Sequence, residues 1–176
     1  MINEFVINHL GADNHEYIEI FGGPSADYSS MVLLNIEGDA GSAGRIDAFY
    51  NLGTTNTEGY WLAEFIPEIL ENGTVTFLLV TGFSSSLGID LDSNDDGILD
   101  LKPWTAIVDQ IGVHDGGVND HVYSSVILNA NYDGISAVPW GASRIPNGWN
   151  SNSAGDWVRN DFDLAGIPGF IGTPTA

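Results

Sequence analysis

The chain has 176 residues, 43% of them hydrophobic, a formal net charge of −20 from 24 acidic residues against four Lys and Arg, and no cysteine. This length and apolar content support one domain with a real core and exclude a disordered chain. The missing cysteine excludes a disulfide framework, a thiolate zinc site and a cysteine nucleophile. The charge repels phosphate backbones and anionic lipid, so no nucleic-acid partner is expected. No apolar run approaches the ~18 residues of a membrane span, so no membrane insertion is expected either.

Turn formers dominate, with 22 Gly and 7 Pro, and strong helix formers are scarce, which is an all-β profile. Ile2 to Ile7 reads as a first strand, and Gly11 to Asn14 as a turn. Glu16 to Phe21 alternates, with Ile18 and Ile20 on one side, and Gly22-Gly23-Pro24 closes it. Ser30 to Glu37 sets Val32, Leu34 and Ile36 against Met31, Leu33 and Asn35. After the turn at Gly38 to Gly41, Ile46, Ala48 and Tyr50 alternate again. Tyr60 to Phe65 is an apolar strand, and Ile66 to Glu71 can form one helical turn after it. Thr74 to Val80 is the clearest buried strand. Ala106 to Val113 and His121 to Leu128 predict two more strands around Asp115-Gly116-Gly117. About eight short strands with no amphipathic helix predict two antiparallel sheets face to face, a β-sandwich over residues 1–130.

Between the strand ending at Val80 and the one starting at Ala106 lies a segment, residues 90–100, with five acids and no cation. Two charges ~6 Å apart at an effective dielectric of ~20 repel by roughly 3 kcal/mol, so mid-chain crowding of this kind asks for a neutralising cation. Counted from Asp92, side-chain oxygens fall at positions 1, 3 and 5 (Asp92, Asn94, Asp96), Gly97 at 6, the Ile98 carbonyl at 7 and Asp100 at 9. That is the spacing of an EF-hand-like calcium loop, in which alternate side chains converge on one centre. Pro103 stands at position 12, where a bidentate Glu belongs, so Asp90 is the candidate sixth ligand. Calcium is preferred to magnesium, which keeps more of its own water.

From Asn129 onward the alternation fades, and residues 130–176 hold Trp140, Trp149 and Trp157. Residues 131–176 therefore read as an irregular C-terminal arm packed on the sandwich. Asn129, Asn131 and Asp133 repeat the 1, 3, 5 spacing with Gly134 at 6, but one carboxylate is too few for calcium, and a plain turn is expected.

The phrases Ile2-Asn3-Glu4-Phe5-Val6, Glu16-Tyr17-Ile18-Glu19-Ile20-Phe21, Leu33 to Asp39 and Gly53 to Trp61 resemble, in order and spacing, the bacterial lamin tail domain family. Gly141 to Pro146 and Asp156 to Phe162 look like the segments that follow that domain in exported bacterial proteins. The resemblance implies an immunoglobulin-like sandwich and a non-catalytic, extracellular or cell-surface accessory module of a larger secreted protein. The signal peptide would then lie outside this chain, the domain would be a monomer, and the partner would be a protein or glycan.

Two alternatives accompany that expectation. Five tryptophans on a calcium-bearing sandwich suit a carbohydrate-binding module. His114 and His121, flanking Asp115 and Asp120, suit a second metal site or a metal-dependent hydrolase. His9 and His15 suggest nothing by spacing.

Overall fold

A computed structural model describes residues 1–8, 16–63, 69–70 and 72–160. The expected turn at Gly11 to Asn14, His9, His15 and most of the expected helical turn at Ile66 to Glu71 lie outside them. Among the described residues ten strands form: β1 (Ile2–Val6), β2 (Tyr17–Phe21), β3 (Met31–Glu37), β4 (Ile46–Asn51), β5 (Tyr60–Leu62), β6 (Val75–Thr81), β7 (Ala106–His114), β8 (Ile127–Asn129), β9 (Gly141–Arg144) and β10 (Trp157–Arg159). Among the described residues there is no α-helix, only one short 3-10 turn at Ala154–Asp156.

The strands form two five-stranded sheets, ordered β10-β9-β1-β2-β5 and β4-β3-β6-β7-β8. They pack face to face, so the expected β-sandwich is the fold. Every pairing is antiparallel except β7 with β8, which run parallel. The expected strand from His121 to Leu128 therefore shortens to β8, and it is not a hairpin partner of β7. Its first half turns aside because its backbone bonds elsewhere. The His121 amide donates to the Gly38 carbonyl at 2.8 Å, and the Tyr123 amide to Thr76 Oγ1 at 2.9 Å.

The alternation read from β2 appears as alternating burial, with Ile18 and Ile20 inside. They join Phe5, Leu33, Phe77, Leu79, Ile111 and Val113 between the sheets. β3 and β6 are buried on both faces, because a second cluster covers the outer side of their sheet. Leu34, Ile36, Leu78 and Val80 pack there against Leu91, with Leu99, Trp104 and Tyr123 around them. The segment carrying the acidic loop is thus a flap fixed by its own apolar residues. Leu91 is fully buried, a burial that contributes on the order of 2 kcal/mol.

The arm completes the first sheet. β9 pairs with β1 through Glu4↔Ser143, Phe5↔Ala142 and Val6↔Gly141, and β10 pairs with β9. Arg144 then enters the core between the sheets. Its Nη2 lies 3.2 Å from Asp109 of β7 and its Nη1 3.4 Å from Asp156. Its Nε donates to the Ile2 carbonyl at 2.9 Å, and its guanidinium lies 4.4 Å from the ring centroid of Trp157. Arg159 pairs with Asp133 at 3.0 Å, which engages the Asn129 to Gly134 turn in closing the arm.

Candidate metal centre

Two groups of carboxylates lie at one end of the sandwich, and the short segment 120–123 joins them. The first is the acidic loop. Its leading residue, Asp92, is fully buried at the edge of the outer apolar cluster, beside Leu91. Asp92 Oδ2 accepts from the Gly97 amide and from the Tyr123 hydroxyl, each at 2.8 Å. Asp92 Oδ1 and Asn94 Oδ1 both point at the Asp96 amide, at 3.2 and 3.3 Å, and Asn94 Nδ2 reaches Asp96 Oδ2 at 3.1 Å. The turn therefore brings Asp92 Oδ1 and Asn94 Oδ1 to one amide, while the Asp96 carboxylate faces Asn94 Nδ2 and the Ile98 amide. Gly97 has φ +81, and a Cβ there would stand 2.8 Å from His121 Nδ1, so glycine is required for both the turn and the close approach.

The remaining predicted ligands sit differently. Asp100 turns toward Ser93, accepting from its amide at 3.2 Å and its hydroxyl at 2.9 Å. Asp90 caps the Asp92 amide at 2.9 Å and bridges to Arg45 through the backbone. Ile98 is exposed, and its amide donates to Asp96 Oδ1 at 3.0 Å. No lysine, arginine or histidine pairs with Asp92 among the described residues. Its charge is met by two amides and one phenol. Burial and the bond to Asp92 push the Tyr123 hydroxyl far above its ordinary pKa, so it stays a donor.

The second group is Asp39, Asp115 and Asp120, with one oxygen of each within 4.8 Å of the others. Among the described residues this is the one acidic cluster that tight, and each member is partly buried. It is built around Thr74, at the entry to β6. Thr74 Oγ1 bonds Asp115 Oδ1 and Asp120 Oδ2, each at 2.9 Å, and the Thr74 amide donates to Asp39 Oδ1 at 2.8 Å. A Cβ on Gly117 would lie 2.0 Å from Asp120 Oδ2, so only glycine lets that carboxylate in. Burial pushes the Asp39 carboxyl above its ordinary range, and Asp120 and Asp115 push it further. Burial also acts to raise Asp115, but hydrogen bonds from Gly117, Thr74 and Asp120 outweigh it and hold the group below its ordinary value. Three oxygens of this kind, hard and crowded, can hold a metal ion.

Sequence spacing singled out Asp115 and Asp120 together with His114 and His121, and the structure gathers the two acids with Asp39 instead. His114 Nδ1 accepts from the Gly116 amide at 2.9 Å. His121 Nε2 lies 3.0 Å from the Asp95 carbonyl, back in the acidic loop. Asp39 was missed because it lies far away in sequence. The β3–β6 register, with Glu37 opposite Val75, sets Asp39 beside Thr74.

The segment 120–123 thus ties the two groups together. Asp120 belongs to the triad, His121 contacts the loop at Asp95, and Tyr123 holds Asp92. Of the tryptophans, Trp157 is in the core, Trp61 and Trp140 pack against it, and Trp104 lies behind the acidic loop. Trp149 is 58% exposed. No protein-family model matches the chain, and neither a curated protein nor a solved structure matches it.

Proposed function

We propose that this chain is a non-catalytic accessory module of a larger secreted protein, stabilised by calcium at its acidic end. The observation that carries the reading is Asp92. It is a fully buried carboxylate with no cationic partner among the described residues, and its Oδ1 shares the Asp96 amide with Asn94 Oδ1, on residues at calcium-loop spacing. Asp92, Asn94 and Asp96 would hold the ion first. Asp100, Asp90 and the Ile98 carbonyl would complete the shell by small loop movements, with water where they fall short. The ion's role is structural, because it cancels repulsion in the flap that covers β3 and β6. The resemblance to bacterial lamin tail domains supports the accessory, extracellular part of the reading. Millimolar calcium outside cells suits a loop held by a few carboxylates.

A catalytic role finds little support, since both described histidines are engaged with backbone groups rather than with a nucleophile. A glycan role rests on Trp149, a single exposed ring. The test of the proposal is calcium titration followed by calorimetry on the wild type and on Asp92→Ala. A saturable heat that vanishes in the variant supports it, and equal heats in both proteins reject it.

A further inference from the structure

The flap leaves a groove of about 320 Å³ on the outer face of the second sheet, lined by Ile98, Leu99, Trp104, Ile107, Val122 and Tyr123. Along one side of this groove runs the first half of β7. Ala106, Ile107 and Val108 are all exposed there, with Ile107 at 41% and Val108 at 45%. The cause is in the pairing. β6 lies on one side of these residues, but on the other side β8 begins only opposite Gly112. Ala106 to Val108 therefore form an open, apolar strand edge in a strand whose other half is interior. Such edges invite another strand unless they are covered. A bulge between Ile107 and Asp109 limits the open stretch to a few residues.

The charge around the groove identifies what would cover it. The loop that supplies Ile98 and Leu99 also carries Asp95, Asp96 and Asp100, all exposed. Two of the chain's four cations, Arg144 and Arg159, are buried in ion pairs, so Lys102 at the groove faces a strongly negative surround. A second copy of this chain, at −20, is a poor occupant on charge grounds. We propose that this groove binds an extended, basic segment of a partner protein, which adds as a strand to Ala106–Val108. Alternate apolar side chains of the segment enter the groove, and its Lys or Arg side chains meet the acidic loop. This goes beyond the calcium reading, and it needs calcium only insofar as the ion steadies the loop.

The experiment selects from a random seven-residue peptide display library against the full chain. Enriched peptides should alternate apolar residues with Lys or Arg. The best one, made synthetically, should move the amide resonances of Ala106 to Val108. It should bind at least about tenfold more weakly, ~1.4 kcal/mol, to Ile107→Arg and to Val108→Arg. Both positions are exposed, so both variants should keep the wild-type melting temperature. Equal enrichment on Ile107→Arg, acidic winners, resonance shifts elsewhere, or self-association through this face would overturn the proposal. Repeating the binding in chelator separates the two ideas. Retained peptide binding without any calcium-dependent melting would sink the calcium reading and leave this one standing.

Discussion

The Asp109 carboxylate receives Arg144 Nη2 at 3.2 and 3.3 Å and the Ile2 amide at 2.9 Å, so one buried acid joins β7 of one sheet to β9 and β1 of the other. Arg144 is fully buried and directs its other donors to the Ile2 and Trp149 carbonyls and to Asp156. Such a network fixes how the arm docks, even though a buried ion pair adds little net stability over an apolar substitute. Removing one partner is costly, because it strands the other charge. Arg144→Met should destabilise the fold by about 3–5 kcal/mol in denaturant titration. The double change Arg144→Met with Asp109→Leu should lose less than Arg144→Met alone, since β7 then carries no stranded carboxylate at this contact.

The arm also sets an acid limit. Burial acts to raise the Asp156 carboxyl, but the Ser151 hydroxyl and amide, the Ser153 amide and Arg144 outweigh it and hold it below the usual range. A carboxyl depressed in the folded state adds stability above its unfolded pKa, near 3.9, and loses it as pH falls through the folded value. Melting temperature should therefore drop between about pH 5 and pH 2. In Asp156→Asn it should start lower at neutral pH and fall less over that window. Parallel curves for the two proteins would show that Asp156 is not a source of acid sensitivity.

The triad around Thr74 makes a prediction of opposite sign. Asp39, Asp115 and Asp120 crowd one another, and burial together with that crowding raises the Asp39 carboxyl. In chelator, Asp120→Asn should raise stability by about 1 kcal/mol, because it removes one like charge while an amide oxygen still accepts from Ala40. Chemical denaturation with EDTA present measures this, and a loss of stability would mean that the third charge is compensated in the fold.

Tyr123→Phe deletes the phenol that donates to Asp92 and leaves the ring in the outer apolar cluster. It should cost about 1–3 kcal/mol in chelator, the cost of a lost bond to a buried charge. It should cost less in calcium, where the ion takes over that charge. Urea titrations under the two conditions give both values.

Much of the sandwich was legible because β1 to β7 carry period-2 alternation or continuous apolar runs bounded by glycine. β8 was legible only as the end of a longer expected strand, and β9 and β10 were not, since they are short and lie where the alternation fades. β9 is Gly-Ala-Ser-Arg, and its burial comes from Arg144 finding two acids brought in by folding. Of the two acidic groups, the loop of Asp92, Asn94 and Asp96 stands out by local spacing alone, because its members are close neighbours in the sequence. Asp39 does not, because only the pairing of β3 with β6 brings it to Thr74.

Calcium at the acidic loop is tested most directly by thermal melts of the wild type and Asp92→Ala, each in excess calcium and in EDTA. At calcium near 100 times its dissociation constant, the wild type should gain about 2.7 kcal/mol, visible as a rise of several degrees, and Asp92→Ala should gain almost none of it. A wild-type melting temperature that is the same in calcium and in EDTA would contradict the account.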